Sequence, residues 1–287
     1  MRAVFPIGLL VISLATAALA QEQPVTLADT EYREFTSKIT GRSYGVFVAF
    51  PESYKTTPTR RYPVLYTTDS HIGFPLTAHI YRLMRLGNDV PEMLIVSLAG
   101  QNPNTWAAMR FMELTPTRVS SRDAELSKSI GQPVQTGEAA SFLRVYTEEL
   151  IPDVEKRYRT TQERMYSGHS LGALFGLFSL FQSPLTFQRM ILVSPALYWD
   201  EQVMLKIEEK FAASKRPLKA EVYVAVGGLE TQAMLDNTKR FIAAVAEHKH
   251  NGLTLHSITF ESETHSSVFP GAFARGMRTL FPKQATK

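Results

Sequence analysis

Short apolar runs alternate with helical patterns along most of this chain, and no other feature of the sequence constrains its fold as strongly. The apolar runs, each bounded by turn residues, lie at 63–67, 93–98, 165–167, 190–193, 221–226 and 253–260. Helical spacing of apolar residues is seen at 142–158, 171–181, 231–248 and 271–280. Repeated strand–helix alternation predicts an α/β fold with a mainly parallel, twisted sheet and helices on both faces.

Two segments depart from this alternation. The runs 31–37 and 44–50 are separated by Gly41-Arg42, which predicts an antiparallel strand pair near the N-terminus. The stretch from Ala99 to Gly137 has few apolar runs and three prolines, so we predict a cap or specificity loop there, beside the functional site. A length of 287 residues suits one α/β domain, which we expect over 21–287.

Residues 1–20 have the pattern of a signal peptide. Arg2 is positively charged, residues 5–18 carry no charge, and Ala18-Leu19-Ala20 is a small-x-small cleavage sequence. The apolar run is shorter than the roughly 20 residues that a membrane-spanning helix needs. We therefore expect cleavage after Ala20 and a periplasmic or secreted mature chain without stable membrane insertion.

Composition excludes several classes of function. The chain has no cysteine, which rules out disulfides, metal–thiolate sites, a cysteine nucleophile and a lipid-anchoring cysteine. Its net charge is +4 with Lys and Arg interspersed along the sequence, so nucleic-acid binding is not predicted. His248 and His250 flank Lys249, where we expect no carboxylate to join them, and we predict no metal site and no organic cofactor. Nothing in the composition indicates an oligomeric state.

The pentapeptide Gly168-His169-Ser170-Leu171-Gly172 joins a predicted strand to a predicted helix. A G-x-S-x-G sequence at such a turn strains the backbone of the central residue and lifts its side chain above the sheet, while the glycines leave room for neighbouring backbone. Ser170 would then lie at a helix N-terminus, where the dipole favours negative charge. The pattern predicts that Ser170 is a nucleophile.

A serine nucleophile needs a base within reach. His265 lies in a polar loop after the last predicted strand and before the last helix, where an α/β-hydrolase presents its histidine. His169, inside the turn, is expected to point away from Ser170. For the acid that orients the base, Glu230 follows strand 221–226 directly, and Asp236 lies about two helical turns later. Glu230 is the first candidate and Asp236 the second.

An oxyanion hole needs two backbone N–H groups directed at the developing charge. One is expected from Leu171, the residue after the nucleophile. The other is expected from the loop Asp69-Ser70-His71 after strand 63–67, with Ser70 as the donor. We also expect Trp106, Arg110, Trp199 and His71 to line the substrate side of the site, because ligands of α/β sheets bind in loops after the strands. Arg110 is suited to a catecholate or carboxylate, whereas each tryptophan is also suited to core packing.

Several segments match one family. They are Tyr62-Pro63-Val64-Leu65-Tyr66, Arg110 with Leu114-Thr115-Pro116, Ser141-Phe142, Glu149-Leu150-Ile151-Pro152, residues 167–172, 193–199 and 264–268. The chain resembles the putative-esterase (esterase D-like) family of the α/β-hydrolases, nearest its trilactone siderophore esterases. The resemblance implies an α/β-hydrolase fold with Ser170 and His265 as catalytic residues and Glu230 as their acid. The chain departs from the family at Ser70 and Ala173, where relatives commonly have glycine.

These observations predict an exported serine carboxylesterase that works through an acyl-enzyme. The expected partner is a small-molecule ester: a siderophore trilactone, including its ferric complex, an aryl ester or a short-chain ester. Two alternatives stay open. The same residues would support acyl transfer to a sugar or glycerol, and a hydrolase scaffold can also serve as a non-catalytic ligand-binding protein.

Overall fold

One sheet of eight strands organises the computed structural model, which describes residues 26–100, 102 and 104–282. The strands are β1 (Thr30–Thr36), β2 (Ser43–Ala49), β3 (Tyr62–Thr67), β4 (Leu94–Gly100), β5 (Thr160–His169), β6 (Arg189–Val193), β7 (Ala220–Gly227) and β8 (Leu253–Phe260). Their order is β1-β2-β4-β3-β5-β6-β7-β8. The predicted signal peptide, residues 1–20, lies outside the described residues.

Nine α-helices connect and cover these strands in the described ranges. They are α1 (Ser70–Leu86), α2 (Trp106–Glu113), α3 (Ser120–Ile130), α4 (Ala139–Arg144), α5 (Ile151–Arg157), α6 (Leu171–Gln182), α7 (Val203–Ser214), α8 (Gln232–His248) and α9 (Val268–Leu280). A 3₁₀ turn, Glu52–Tyr54, precedes β3, and a π-helical turn, Val145–Leu150, joins α4 to α5. No helix among the described residues is long and apolar enough to cross a bilayer.

The pairing confirms the predicted fold class. β1 pairs with β2, and β2 with β4, in antiparallel fashion, whereas all other neighbouring strands are parallel. Every residue of β4 is buried, as expected for a strand covered on both faces. One apolar core packs between the sheet and α1 with α9, and a second packs between the sheet and α4 to α8.

The segment 99–137, predicted as a loop, contains α2 and α3. α3 gives no periodic apolar signal because its sequence is largely polar, and its one buried residue is Asp123. The Asp123 carboxylate accepts hydrogen bonds from the backbone N–H and hydroxyl of Thr136, at 2.8 and 2.7 Å. Buried polar contacts of this kind hold the segment in place. α7 was likewise absent from the sequence prediction.

Five of the parallel strands end at the same edge of the sheet, and each is followed there by a polar residue of the candidate site. Ser70 follows β3, Ser170 follows β5, Ser194 follows β6, Glu230 follows β7 and His265 follows β8. In open α/β sheets, ligands bind at the carboxyl ends of the strands. Strand order therefore brings these loops to one candidate site.

Candidate active site

Ser170 has a strained backbone between β5 and α6. Its φ of 57° and ψ of −116° lie outside the regions that non-glycine residues ordinarily occupy. The surroundings hold this conformation: the Ser170 N–H donates to the Val193 carbonyl at 2.9 Å, and the Ser170 carbonyl accepts from the N–H groups of Leu174 and Ala196 at 3.0 and 3.2 Å. Strain that the surroundings maintain is characteristic of functional sites.

Both glycines of the pentapeptide are required by close contacts, with backbone at Gly168 and with side chains at Gly172. A Cβ on Gly168 would lie 2.4 Å from the backbone of Gly172, and a Cβ on Gly172 would lie 2.6 Å from the Thr68 hydroxyl and 3.3 Å from the Asp69 carboxylate. The G-x-S-x-G spacing thus lets the first turn of α6 fold back on β5. It also lets that turn press against the loop after β3.

Glu230 and His265 form a hydrogen-bonded pair at the ends of β7 and β8. His265 Nδ1 lies 3.0 Å from Glu230 Oε2, and the carboxylate side chain is fully buried. The other oxygen, Oε1, accepts from the Ser194 hydroxyl at 2.5 Å and from the Gly227 N–H at 2.8 Å. Burial alone would raise the pKa of Glu230, but the hydrogen bonds from His265, Ser194 and Gly227 outweigh it and lower the pKa below its usual value.

An ionised Glu230 assigns a tautomer to His265. A carboxylate accepts hydrogen bonds only, so Nδ1 carries the proton and Nε2 is left as an acceptor. Within the described residues, neither the Ser170 hydroxyl nor His265 Nε2 has a hydrogen-bond partner. Hydrogen bonds between catalytic groups often tighten only when substrate binds. The arrangement supplies a hydroxyl and an oriented imidazole acceptor at one edge of the sheet.

His169 packs against His265 and is hydrogen-bonded to its backbone, a contact that could not be predicted from the sequence. The two rings lie 4.7 Å apart, and His169 Nε2 lies 2.7 Å from the His265 carbonyl oxygen. Burial lowers the pKa of His169 to about 4, with a smaller contribution from His265. The ring is therefore neutral near pH 7 and donates its Nε2–H to that carbonyl. No local pattern reveals this contact, because the two residues are 96 positions apart.

Of the two candidate acids, Glu230 contacts His265 and Asp236 does not. Asp236 is exposed on α8, and its Oδ1 accepts a hydrogen bond from the Gln232 amide at 2.9 Å. Ser194 is a further residue that the sequence reasoning missed. It has a positive φ of 51° and is fully buried, yet a lone serine after a strand carries no distinctive signal.

Two helix N-termini meet beside Ser170. α6 begins at Leu171 and α1 begins at Ser70, and the first N–H groups of a helix have no partner within it. The close approach of Gly172 to Thr68 and Asp69 shows that these two ends are neighbours. Ser70 is buried, and its hydroxyl contacts the Ser97 hydroxyl at 2.7 Å. Both N-termini therefore present N–H groups and positive dipole ends to the same region.

Arg110 holds the loop after β3. Its Nε donates to Asp69 Oδ1 at 2.6 Å, and its Nη2 donates to the His169 carbonyl at 3.2 Å. Asp69 has a left-handed backbone with φ of 60°, so this ion pair stabilises a strained residue directly before Ser70. The guanidinium also lies 5.8 Å from the ring centre of Trp106.

A cleft of about 260 Å³ opens beside this loop. Its lining includes Ile72, Trp106, Arg110, His169, Ser266 and Phe269. The walls are mostly apolar, and the ion pair of Arg110 with Asp69 lies in the lining. A cleft of this composition suits an aromatic ligand.

The structure corrects the prediction for Trp199. Its side chain is only 4% exposed and packs in the core, and its indole N–H donates to the Thr117 carbonyl at 3.2 Å. It therefore offers a ligand almost no surface. His71, also predicted to bind substrate, has its Nε2 2.9 Å from the Gly100 carbonyl and its ring edge against Phe47.

His248 and His250 have a carboxylate neighbour after all. Glu208 of α7 contacts His248 Nδ1 at 2.8 Å and His250 Nε2 at 2.5 Å. The sequence argument against a metal at this pair was that no acid lies beside it. That argument is wrong, because a different helix supplies the acid.

The chain is similar in sequence to a known family and to characterised esterases. The family model described as Putative esterase matches residues 37–276. The ferri-bacillibactin esterase BesA of Bacillus subtilis (strain 168) is 28% identical over 262 residues, covering 88% of this chain and 90% of that protein. The siderophore triacetylfusarinine C esterase of Aspergillus fumigatus is 24% identical over 290 residues, covering 90% and 95%.

A solved structure confirms the fold. The BES protein from Bacillus cereus superposes with a TM-score of 0.78 at 24% identity, covering 91% of this chain and 97% of that one. The resemblance inferred from the sequence motifs is thus confirmed. The chain belongs to the Putative esterase family and is a carboxylic ester hydrolase with the α/β-hydrolase fold.

Proposed function

We propose that this protein is a serine esterase in which Ser170 is the nucleophile, His265 the general base and Glu230 the residue that orients the base. The observation that carries the proposal is the buried, ionised Glu230 bonded to His265 Nδ1, at the strand ends beside the strained Ser170 turn. A carboxylate that fixes one tautomer of an imidazole next to a serine hydroxyl is the arrangement of a serine hydrolase triad.

The reaction follows from these positions. The Ser170 Oγ attacks the ester carbonyl carbon while His265 Nε2 accepts the hydroxyl proton. The N–H groups of Leu171 and Ser70 stabilise the negative charge on the carbonyl oxygen. Collapse of the tetrahedral intermediate breaks the ester C–O bond, and His265 returns the proton to the departing alkoxide. Water then attacks the acyl-Ser170 ester with His265 again accepting a proton, which releases the carboxylic acid and restores the serine.

The substrate class that we favour is a siderophore ester. Two relatives with near-complete coverage are named as siderophore esterases. The cleft places Trp106 and Phe269 beside the Arg110–Asp69 ion pair, which suits the aromatic rings of a catecholate siderophore, with the guanidinium donors of Arg110 directed at their oxygens. The signal-peptide pattern of residues 1–20 supports a periplasmic or secreted enzyme.

An active-site probe tests the catalytic assignment without knowledge of the substrate. The purified chain is treated with a fluorophosphonate and its intact mass is measured, with Ser170→Ala and Ser266→Ala treated in parallel. Ser266 follows His265 directly and lines the cleft that also contains Arg110, so it serves as the matched control. We expect one adduct on the wild type and on Ser266→Ala and none on Ser170→Ala. An adduct that survives Ser170→Ala, or no adduct on the wild type, would refute the assignment.

A substrate panel tests the siderophore proposal. Initial rates are compared for a catecholate trilactone in iron-free and ferric form, a hydroxycinnamate ester and a short-chain alkyl ester, each with and without added glycerol. We expect the highest kcat/KM for the trilactone and no glyceryl ester product. A higher kcat/KM for either simple ester would refute the substrate class, and a glyceryl product would favour acyl transfer.

Export has its own test. The full-length chain is expressed in a Gram-negative host, and the N-terminus of the periplasmic fraction is sequenced. Gln21 as the first residue supports cleavage after Ala20, whereas an intact Met1 in the cytoplasm would contradict it.

A further inference from the structure

Three side chains that ester hydrolysis does not use meet between α7 and α8. Glu208 projects from α7, His248 is the last residue of α8, and His250 lies in the loop that leads to β8. Glu208 Oε1 lies 2.8 Å from His248 Nδ1 and 2.5 Å from His250 Nε2. One ligand atom from each residue falls within 4.8 Å of the other two. The three ligand atoms are thus close enough to bind one metal ion.

The Glu208 carboxylate is buried beside the two imidazoles, where a cation could compensate it. Its side chain is 1% exposed, and within the described residues its ion-pair partners are only the two imidazoles, with no Lys or Arg. A buried carboxylate is costly unless positive charge compensates it. His248 Nδ1 is 2.8 Å from both Glu208 oxygens, and one N–H placed midway cannot align with both. A divalent cation would neutralise the carboxylate without that compromise.

The ligand set indicates which cation. Two histidine nitrogens and one glutamate oxygen form a common set for Zn²⁺, whereas Ca²⁺ and Mg²⁺ prefer all-oxygen sites. Zn–N and Zn–O bonds of about 2.0–2.1 Å in a tetrahedron place ligand atoms about 3.3 Å apart. The contacts of Glu208 with His248 and His250, 2.8 and 2.5 Å, would need to widen by roughly 0.5 and 0.8 Å to reach that spacing, and rotation of the Glu208 side chain can supply that shift.

One side of the three-ligand cluster is rigid and the other is open to solvent. The His250 ring packs against those of Phe181 and Phe211, with ring centres 5.8 and 5.6 Å away, which fixes its orientation. The His248 side chain is 33% exposed, so a water molecule can reach a fourth coordination position. The site therefore has a rigid apolar wall on one side and access from solvent on the other.

We infer that Glu208, His248 and His250 bind one Zn²⁺ ion that ties α7 to α8. The ion would act on stability, because its ligands, on α7, at the end of α8 and in the loop after it, lie outside the Ser170 site. α8 starts at Gln232, directly after the Glu230 loop. A link between α7 and α8 would thus also steady the helix that follows the acid of the catalytic pair.

Calorimetric titration tests the inference. The tag-free protein is stripped with a chelator and titrated with ZnCl₂, and the melting temperature is recorded with and without the metal. We expect binding that saturates at one equivalent and a higher Tm with Zn²⁺. His248→Ala and Glu208→Gln should each weaken binding by about 10–100-fold or more, since even residues that only support a ligand contribute that much. Both variants should also lose the Zn²⁺-dependent rise in Tm.

His256→Ala is the matched control. His256 lies on β8 and pairs with Glu221 at 3.1 Å, a histidine–glutamate contact without a third ligand. It should bind Zn²⁺ as the wild type does. No Zn²⁺ binding by the wild type, or unchanged binding by His248→Ala, would overturn the proposal. Because His248 is partly exposed, its variant decides the question even if Glu208→Gln fails to fold.

Discussion

Glu230 and His265 are 35 residues apart in the sequence, and Glu230 Oε2 lies 3.0 Å from His265 Nδ1. The second carboxylate oxygen is held by Ser194 and Gly227. Loops after β6, β7 and β8 therefore cooperate to orient one imidazole ring. The substitutions Glu230→Gln and Ser194→Ala test this arrangement.

Glu230→Gln should lower kcat by about 10²–10⁴-fold with little change in KM. Glutamine presents a neutral amide to Nδ1, which removes the stabilisation of the imidazolium and permits the wrong tautomer. Steady-state kinetics on a chromogenic ester measure the effect. Asp236→Asn is the control, because Asp236 contacts Gln232 and not His265. If Asp236→Asn proves the more damaging change, the acid has been assigned to the wrong residue.

Ser194→Ala should raise the pKa of Glu230, because it removes one of the hydrogen bonds that lower it. Urea unfolding near neutral pH should show a loss of about 2 kcal/mol of stability, as for a buried hydrogen bond to a charged group. Ser167→Ala is the control, since the buried Ser167 hydroxyl has no hydrogen-bond partner among the described residues. Equal effects of the two substitutions would argue against a specific role for Ser194.

His169 should make stability depend on pH between about 6.5 and about 4. In this window the unfolded chain protonates His169 while the folded protein keeps it neutral, so stability falls as pH falls, by up to about 3 kcal/mol in total. His169→Gln retains a donor but cannot titrate, and it should flatten this part of the profile. Urea unfolding at several pH values measures the slope. His79→Gln, at an exposed position of α1, should leave the slope unchanged, and an unchanged slope in His169→Gln would contradict the prediction.

Arg110→Ala should slow the hydrolysis of neutral and anionic esters alike. The change frees Asp69, whose strained backbone precedes the Ser70 N–H. The loss should be about tenfold for a neutral alkyl ester and about 100-fold for an anionic aryl ester, because a charge-assisted hydrogen bond contributes about 1.5–3 kcal/mol. Kinetics on a matched pair of esters separate the two effects. Unchanged kcat/KM for both substrates would exclude any role of Arg110 in the site.

The sheet architecture and the turn around Ser170 could be predicted from the sequence because their signals are local. Alternating apolar runs report burial on both faces of a sheet, and they indicated the parallel strands and the antiparallel N-terminal pair. The G-x-S-x-G sequence is recognisable on its own, because the close contact that requires glycine at 168 is with Gly172, four residues away. His265 was identified in the same way, by its place after the last strand.

The contacts that organise the site depend on distant parts of the chain. Ser194 and Glu230 are 36 positions apart, His250 and Glu208 are 42, and His169 and His265 are 96. Such pairs are brought together by strand order and helix packing, which no window of neighbouring residues encodes. Local sequence therefore determined the strands, most of the helices and the position of the Ser170 turn. Only the tertiary structure decided which carboxylate contacts His265, that Trp199 packs inside, and that a buried glutamate joins two histidines.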